Sequence, residues 1–126
     1  MDDAKTIGHK LVDFCRNGLN LDAISTLYSP DIVSVEAMAG PEIPSEMRGI
    51  DNVVAKNKWW YENNEIHHAS ADGPFPNGDR FAVIYHYETT ATDGPRKGQR
   101  TKFDEVALYT VKDGKIVREE FFYDMG

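Results

Sequence analysis

A single cysteine, Cys15, is all that 126 residues carry, so no disulfide can form within the chain and a reducing compartment fits it. Lysine and arginine never cluster, and at a net charge of −7 the chain lacks the basic surface that nucleic-acid binding needs. No apolar run approaches membrane-spanning length, and the N-terminal MDDAKTIGHK lacks the apolar stretch of a signal peptide. Gly-rich phosphate loops, a Ser-centred elbow and a dinucleotide fingerprint are also missing, so no nucleotide cofactor is implied. These absences leave the expectation of one cytoplasmic domain over residues 1–126, with no cofactor, no nucleic-acid partner and no membrane segment.

What is present divides into a helical half and a strand half. Ile7, Leu11, Phe14 and Cys15 form one apolar stripe, and Gly18 follows as a stop. A short helix is expected from about Leu21 to Tyr28, capped by Asn20 and ended by Pro30. Asp31–Ala37 alternates like a strand, and a loop with Gly40, Pro41 and Pro44 follows. A third helix is expected over Ile50–Asn64, with Val53, Val54, Asn57 and Trp60 or Tyr61 facing inward. Strands are then expected at Glu65–Asp72, Arg80–Thr92, Arg100–Lys112 and Lys115–Asp124, with turns at Pro74–Gly78 and Asp93–Gly98. Helices first and an antiparallel meander after them make an α+β plan.

The last pair of strands is the most informative. Asp113-Gly114 is a strong hairpin signal, and pairing across it sets Val111 against Ile116, Tyr109 against Arg118 and Val106 against Phe121. Side chains alternate across a sheet, so one face would carry Asp104, Val106, Leu108, Val117, Glu119, Phe121 and Tyr123. The other would carry Glu105, Ala107, Tyr109, Ile116, Arg118, Glu120 and Phe122. Acids among aromatics on both faces suggest a cavity on one side and a partner or solvent on the other.

In its order of elements the chain resembles the nuclear-transport-factor-2-like (NTF2-like) superfamily, and within it the SnoaL-like, polyketide-cyclase-like branch. The landmarks are LYSPDIVSVE (27–36), RGIDNVVAKNKWW (48–60), GDRFAVIYHY (78–87) and DGKIVREEFFY (113–123). The resemblance implies a cone: three N-terminal helices packed on a strongly curved, mainly antiparallel sheet that encloses a pocket. It leaves function open, because members include isomerases, dehydratases, hydrolases, cyclases and non-catalytic binders. Steroid isomerases of this fold keep a catalytic carboxylate where this chain has Glu36. Their oxyanion hole, a helix-1 Tyr and a protonated Asp on the second-last strand, falls on Leu11 or Val12 and on Val106, none of which can donate. The Asp that epoxide-hydrolase-like members keep on the final strand falls on Phe121. Both comparisons imply that Val106, Leu108, Glu119, Phe121 and Tyr123 line the pocket, with Asp104 near its rim.

Glu36 and Glu119 are therefore the candidate catalytic residues, and a one-residue slip would put Glu120 inside in place of Glu119. Trp60, Tyr85 and Tyr87 are candidate pocket walls, with Tyr85 expected beside Val106 and Phe121. Each also has a plain reading, as a strand-end acid, a salt-bridge partner or core packing. His67 and His68 point to opposite faces, so they and His86 make no metal motif. Two functions stay open: an enzyme working by proton transfer or water addition on a small apolar ligand (isomerase, cyclase or hydrolase type), or a non-catalytic ligand-binding or dimerisation module. A homodimer through the outer sheet face is expected, with Ile84, Tyr109, Ile116 and Phe122 supplying apolar area.

Overall fold

The computed structural model of the chain describes residues 1–39 and 44–124. Helix α1 (Ala4–Arg16) starts at Asp3, whose carboxylate accepts the Thr6 N–H at 2.8 Å. Ile7 and Leu11 carry its buried stripe. Gly8 faces the sheet there because a Cβ would lie 2.8 Å from the Pro74 Cβ. Helix α2 (Asn20–Leu27) buries Ala23, Ile24 and Leu27; Asn20 is its first residue and caps nothing. Helix α3 (Ile50–Glu62) follows Gly49, which has φ +90°.

The six strands are β1 (Tyr28–Val35), β2 (Glu46–Arg48), β3 (Asn64–Asn77), β4 (Arg80–Ala91), β5 (Arg100–Lys112) and β6 (Lys115–Phe122). They form one sheet in the order β2-β1-β6-β5-β4-β3, antiparallel except where β1 runs parallel to β6. The last strand is thus inserted between the first and the fifth. Two expectations change along the way. The first strand begins at Tyr28, so Pro30 sits within it and does not precede it. Strand β3 continues through Pro74 and Pro76 to Asn77, which shortens the expected turn to the residues around Gly78. The expected loop residues Gly40 and Pro41 lie outside the described residues.

The hairpin turn is where the dipeptide predicts it, with Asp113 at φ +52° and Gly114 at φ +76°. The faces are not all as expected. Val111 pairs with Ile116 but Thr110 pairs with Arg118, so Val117 is an extra residue on β6. This bulge advances the register by one, giving Ala107↔Phe121 and Tyr109↔Glu119. Glu119, Phe121 and Tyr123 stay inside, and the inward row of β5 becomes Phe103, Glu105, Ala107 and Tyr109. Asp104, Val106 and Leu108 move to the outer face, where Val106 is 38% exposed and Asp104 pairs with His86. The same shift takes Tyr109 and Ile116 off the proposed dimer face and into the core, at 2% and 0% exposure.

The core lies between the helices and the inner face of the sheet. Ile7, Leu11, Ile24, Ile32, Val53, Phe81, Val83 and Ile116 are buried there, and Phe81 stacks on Tyr109 with centroids 4.9 Å apart. Apolar packing is concentrated toward the turn ends of β4, β5 and β6. The other end of the cone is lined by aromatics and acids and stays open.

Candidate functional site

A cavity of about 480 Å³ occupies that open end. Its floor holds Glu119, which is 1% exposed. The Tyr28 hydroxyl donates to Oε1 of Glu119 and the Ser34 hydroxyl to Oε2, the latter at 2.8 Å. Tyr28 and Ser34 reach it because β1 lies directly beside β6, with Ser34 opposite Glu119. Burial pushes the Glu119 carboxyl upward, while Lys56 and the two hydroxyl donors pull it back.

Lys56 on α3 ties the floor to the mouth. Its Nζ donates to Ser34 Oγ at 2.6 Å and to Glu36 Oε1 at 2.8 Å, and sits 5.2 Å from the Phe121 ring centroid. Glu36, just past the end of β1, also accepts from the Tyr123 hydroxyl at 3.0 Å. Burial first, and then the Glu36 charge, raise the Tyr123 phenol well above its ordinary value, so it donates and stays neutral. The chain Glu36–Lys56–Ser34–Glu119–Tyr28 is one connected polar network in which each acid has two donors.

One carboxyl in the cavity stands apart. Glu105 on β5 points inward opposite Tyr85 and has no hydrogen-bond partner among the described residues. Burial, reinforced by the charges of Glu36 and Glu119, pushes its carboxyl up to about 8. At neutral pH it is a largely protonated acid facing a lined cavity. Around it stand aromatic walls: Trp60 meets Tyr87 edge-on at 5.4 Å, Tyr87 lies 5.5 Å from Phe103, and Tyr85 stacks on Tyr87 at 6.0 Å. The Tyr85 hydroxyl is shared with Tyr109 at 2.7 Å, and Cys15 Sγ approaches it at 3.8 Å. Burial raises the Cys15 thiol to about 11, which keeps it protonated and a poor nucleophile.

Of the residues singled out from the sequence, Glu36, Glu119, Trp60, Tyr85, Tyr87, Phe121 and Tyr123 line the cavity. Asp104, Val106 and Leu108 do not, for the reason given by the Val117 bulge. Tyr85 neighbours Glu105 and not Val106 on the inner face. Glu120 lies outside, paired with Arg118. Glu105, Lys56 and Ser34 were missed. Lys56 carried a usable signal: it lies three residues after Val53 and four before Trp60, on the inward stripe of its helix. Among the described residues no three His, Cys, Asp or Glu side chains converge to hold a metal ion, and no helix is long and apolar enough to cross a membrane.

Three helices against an open curved sheet, with a cavity at the mouth, define an NTF2-like α+β protein. A model of the SnoaL-like domain family matches residues 4–123, and the chain belongs to that family. Among solved structures it is similar to a candidate SnoaL-like polyketide cyclase, also designated a carbohydrate phosphatase, from Mesorhizobium loti. The two are 38% identical with a TM-score of 0.86, over 94% of this chain and 97% of that one. An NTF2-like protein from Burkholderia thailandensis shares 22% identity and a TM-score of 0.80 over 98% and 92% of the chains. A candidate SnoaL-like polyketide cyclase from Jannaschia shares 19% identity and a TM-score of 0.74 over 99% and 90%. At the latter two identities the likeness is one of fold. No curated protein matches the chain significantly.

Proposed function

We propose that this protein binds a small, largely apolar molecule carrying a carbonyl group and moves a proton on it, as an isomerase or cyclase does. The observation that carries the reading is Glu105, a raised and unpartnered carboxyl in a cavity whose other carboxylates are hydrogen-bonded. A half-buried acid without a partner is costly, and a ligand oxygen that accepts its hydrogen bond offsets that cost. The resemblance called for a protonated acid on the second-last strand and found Val106; with the bulge counted, Glu105 is the inward residue there.

Two acids in different settings give two roles. Glu105 donates a hydrogen bond to the carbonyl oxygen. Glu36, held by Lys56 and Tyr123, takes a proton from the adjacent carbon, and the electron pair moves into the carbonyl to form an enol or enolate. Returning that proton to another carbon completes the transfer. Glu119, wholly enclosed by Tyr28 and Ser34, serves as the anchor for Lys56 and not as the base. The aromatic walls orient a flat or cyclic body.

The test is deuterium exchange into 2-tetralone and related cyclic ketones in D2O, followed by proton NMR. Wild type should accelerate loss of the α-proton signal, and Glu105→Gln and Glu36→Gln should each slow it by roughly 100-fold. Exchange no faster with protein than in buffer, across the panel, would sink the catalytic reading.

The reading includes a homodimer in the cytoplasm. Ile84, Val106 and Phe122 stand side by side on three strands of the outer face, with Val106 and Phe122 38% and 51% exposed. Light scattering that reports one chain's mass at all concentrations rules the dimer out.

A further inference from the structure

Arg96 is the one charged side chain of the cavity that stands at its mouth without an ion pair among the described residues. The other cation, Lys56, is committed to Glu36 and Ser34. Nearby Arg100 is committed to Glu88 at 3.0 Å. The turn that carries Arg96 is closed by backbone hydrogen bonds. The Arg96 carbonyl accepts the Gln99 N–H at 2.9 Å, the Lys97 N–H bonds Gly94 at 3.1 Å, and the Gly98 N–H closes back on Ala91 at 2.8 Å. Pro95 fixes the backbone just before it.

The cavity therefore has a direction: Glu119 lies at the floor and Glu105 on the wall, the Glu36 charge is met by Lys56, and Arg96 is exposed at the opening. A ligand with a carboxylate at one end meets repulsion if it enters acid first and attraction if it enters acid last. We infer that the ligand carries a carboxylate, paired with Arg96 at the mouth, while its neutral carbonyl end reaches Glu105. Guanidinium is suited to this because it offers a planar pair of donors to a carboxylate. The inference rests on the cavity being the ligand site, and it adds the charge class of the ligand and the residue that selects it.

The test is calorimetric titration with two probes of one shape: 2-naphthylacetate and the neutral 2-naphthylacetamide. Wild type should bind the acid about threefold to tenfold more tightly, a preference that falls as salt rises. Arg96→Ala should lose that preference while keeping its affinity for the amide, Arg96→Lys should retain part of it, and Arg96→Glu should reverse it. Equal affinities for acid and amide in wild type, or an acid preference that survives Arg96→Ala, overturns the assignment while leaving the cavity as a binding site. If neither probe binds, the cavity reading falls and this inference falls with it.

Discussion

Glu119 and Glu105 look into one cavity from neighbouring strands, and the fold treats them in opposite ways. Glu119 is sealed at the floor, with Tyr28 and Ser34 donating to its two oxygens and Lys56 close behind. Glu105, on the wall, has burial and two repelling carboxylates but no donor. A buried acid with a donor on each oxygen stabilises the packing around it. A half-buried acid with no donor costs the empty protein, and a ligand that accepts its hydrogen bond offsets that cost.

The contrast can be broken by substitution. Glu119→Ala leaves the Tyr28 and Ser34 hydroxyl protons without an acceptor in the core and opens a void, and should cost about 4 kcal/mol in urea unfolding. A loss within experimental error would mean that the floor network contributes nothing. Glu105→Gln should act in the other direction. At pH values below the ordinary Glu range both folded and unfolded chains hold the Glu105 proton, and the substitution changes little. As pH rises, the unfolded chain gives up that proton first while the fold keeps it. Wild type therefore loses stability between about 4.5 and 8, and Glu105→Gln escapes that loss, gaining on the order of 4 kcal/mol by pH 8. Unfolding curves measured across that range decide it: parallel pH profiles for the two proteins contradict a raised Glu105. Ser34→Ala, the smallest change, removes one of the two donors to Glu119 and should cost about 1.5 kcal/mol. It should sharpen the comparison by moving Glu119 further up and toward the condition of Glu105.

Much of the frame was legible in the sequence. The stripe of Ile7, Leu11, Phe14 and Cys15 reports α1, and Asp113-Gly114 reports the hairpin, because both signals are local. The inward row of β6 was legible too. The inward row of β5 was not, since an ordinary valine, Val117, forms the bulge and nothing in its side chain announces it. That one residue exchanged Glu105 for Val106. The floor network was hidden for another reason: Ser34 and Glu119 are 85 positions apart and meet only because β1 lies parallel to β6. In the sequence Tyr28 reads as the last residue of a helix, and nothing local links its hydroxyl to the cavity.

The placement of β6 also bears on how the protein is made. Until Lys115–Phe122 leaves the ribosome, both β1 and β5 present open hydrogen-bonding edges, and Tyr28, Ser34 and Lys56 have no Glu119 to surround. Everything from α1 to β5 must therefore wait in an adhesive state for its closing piece. A chain that stops before Lys115 is thus a candidate for clumping and for capture by chaperones, and the step that seals the sheet is the same step that creates the site.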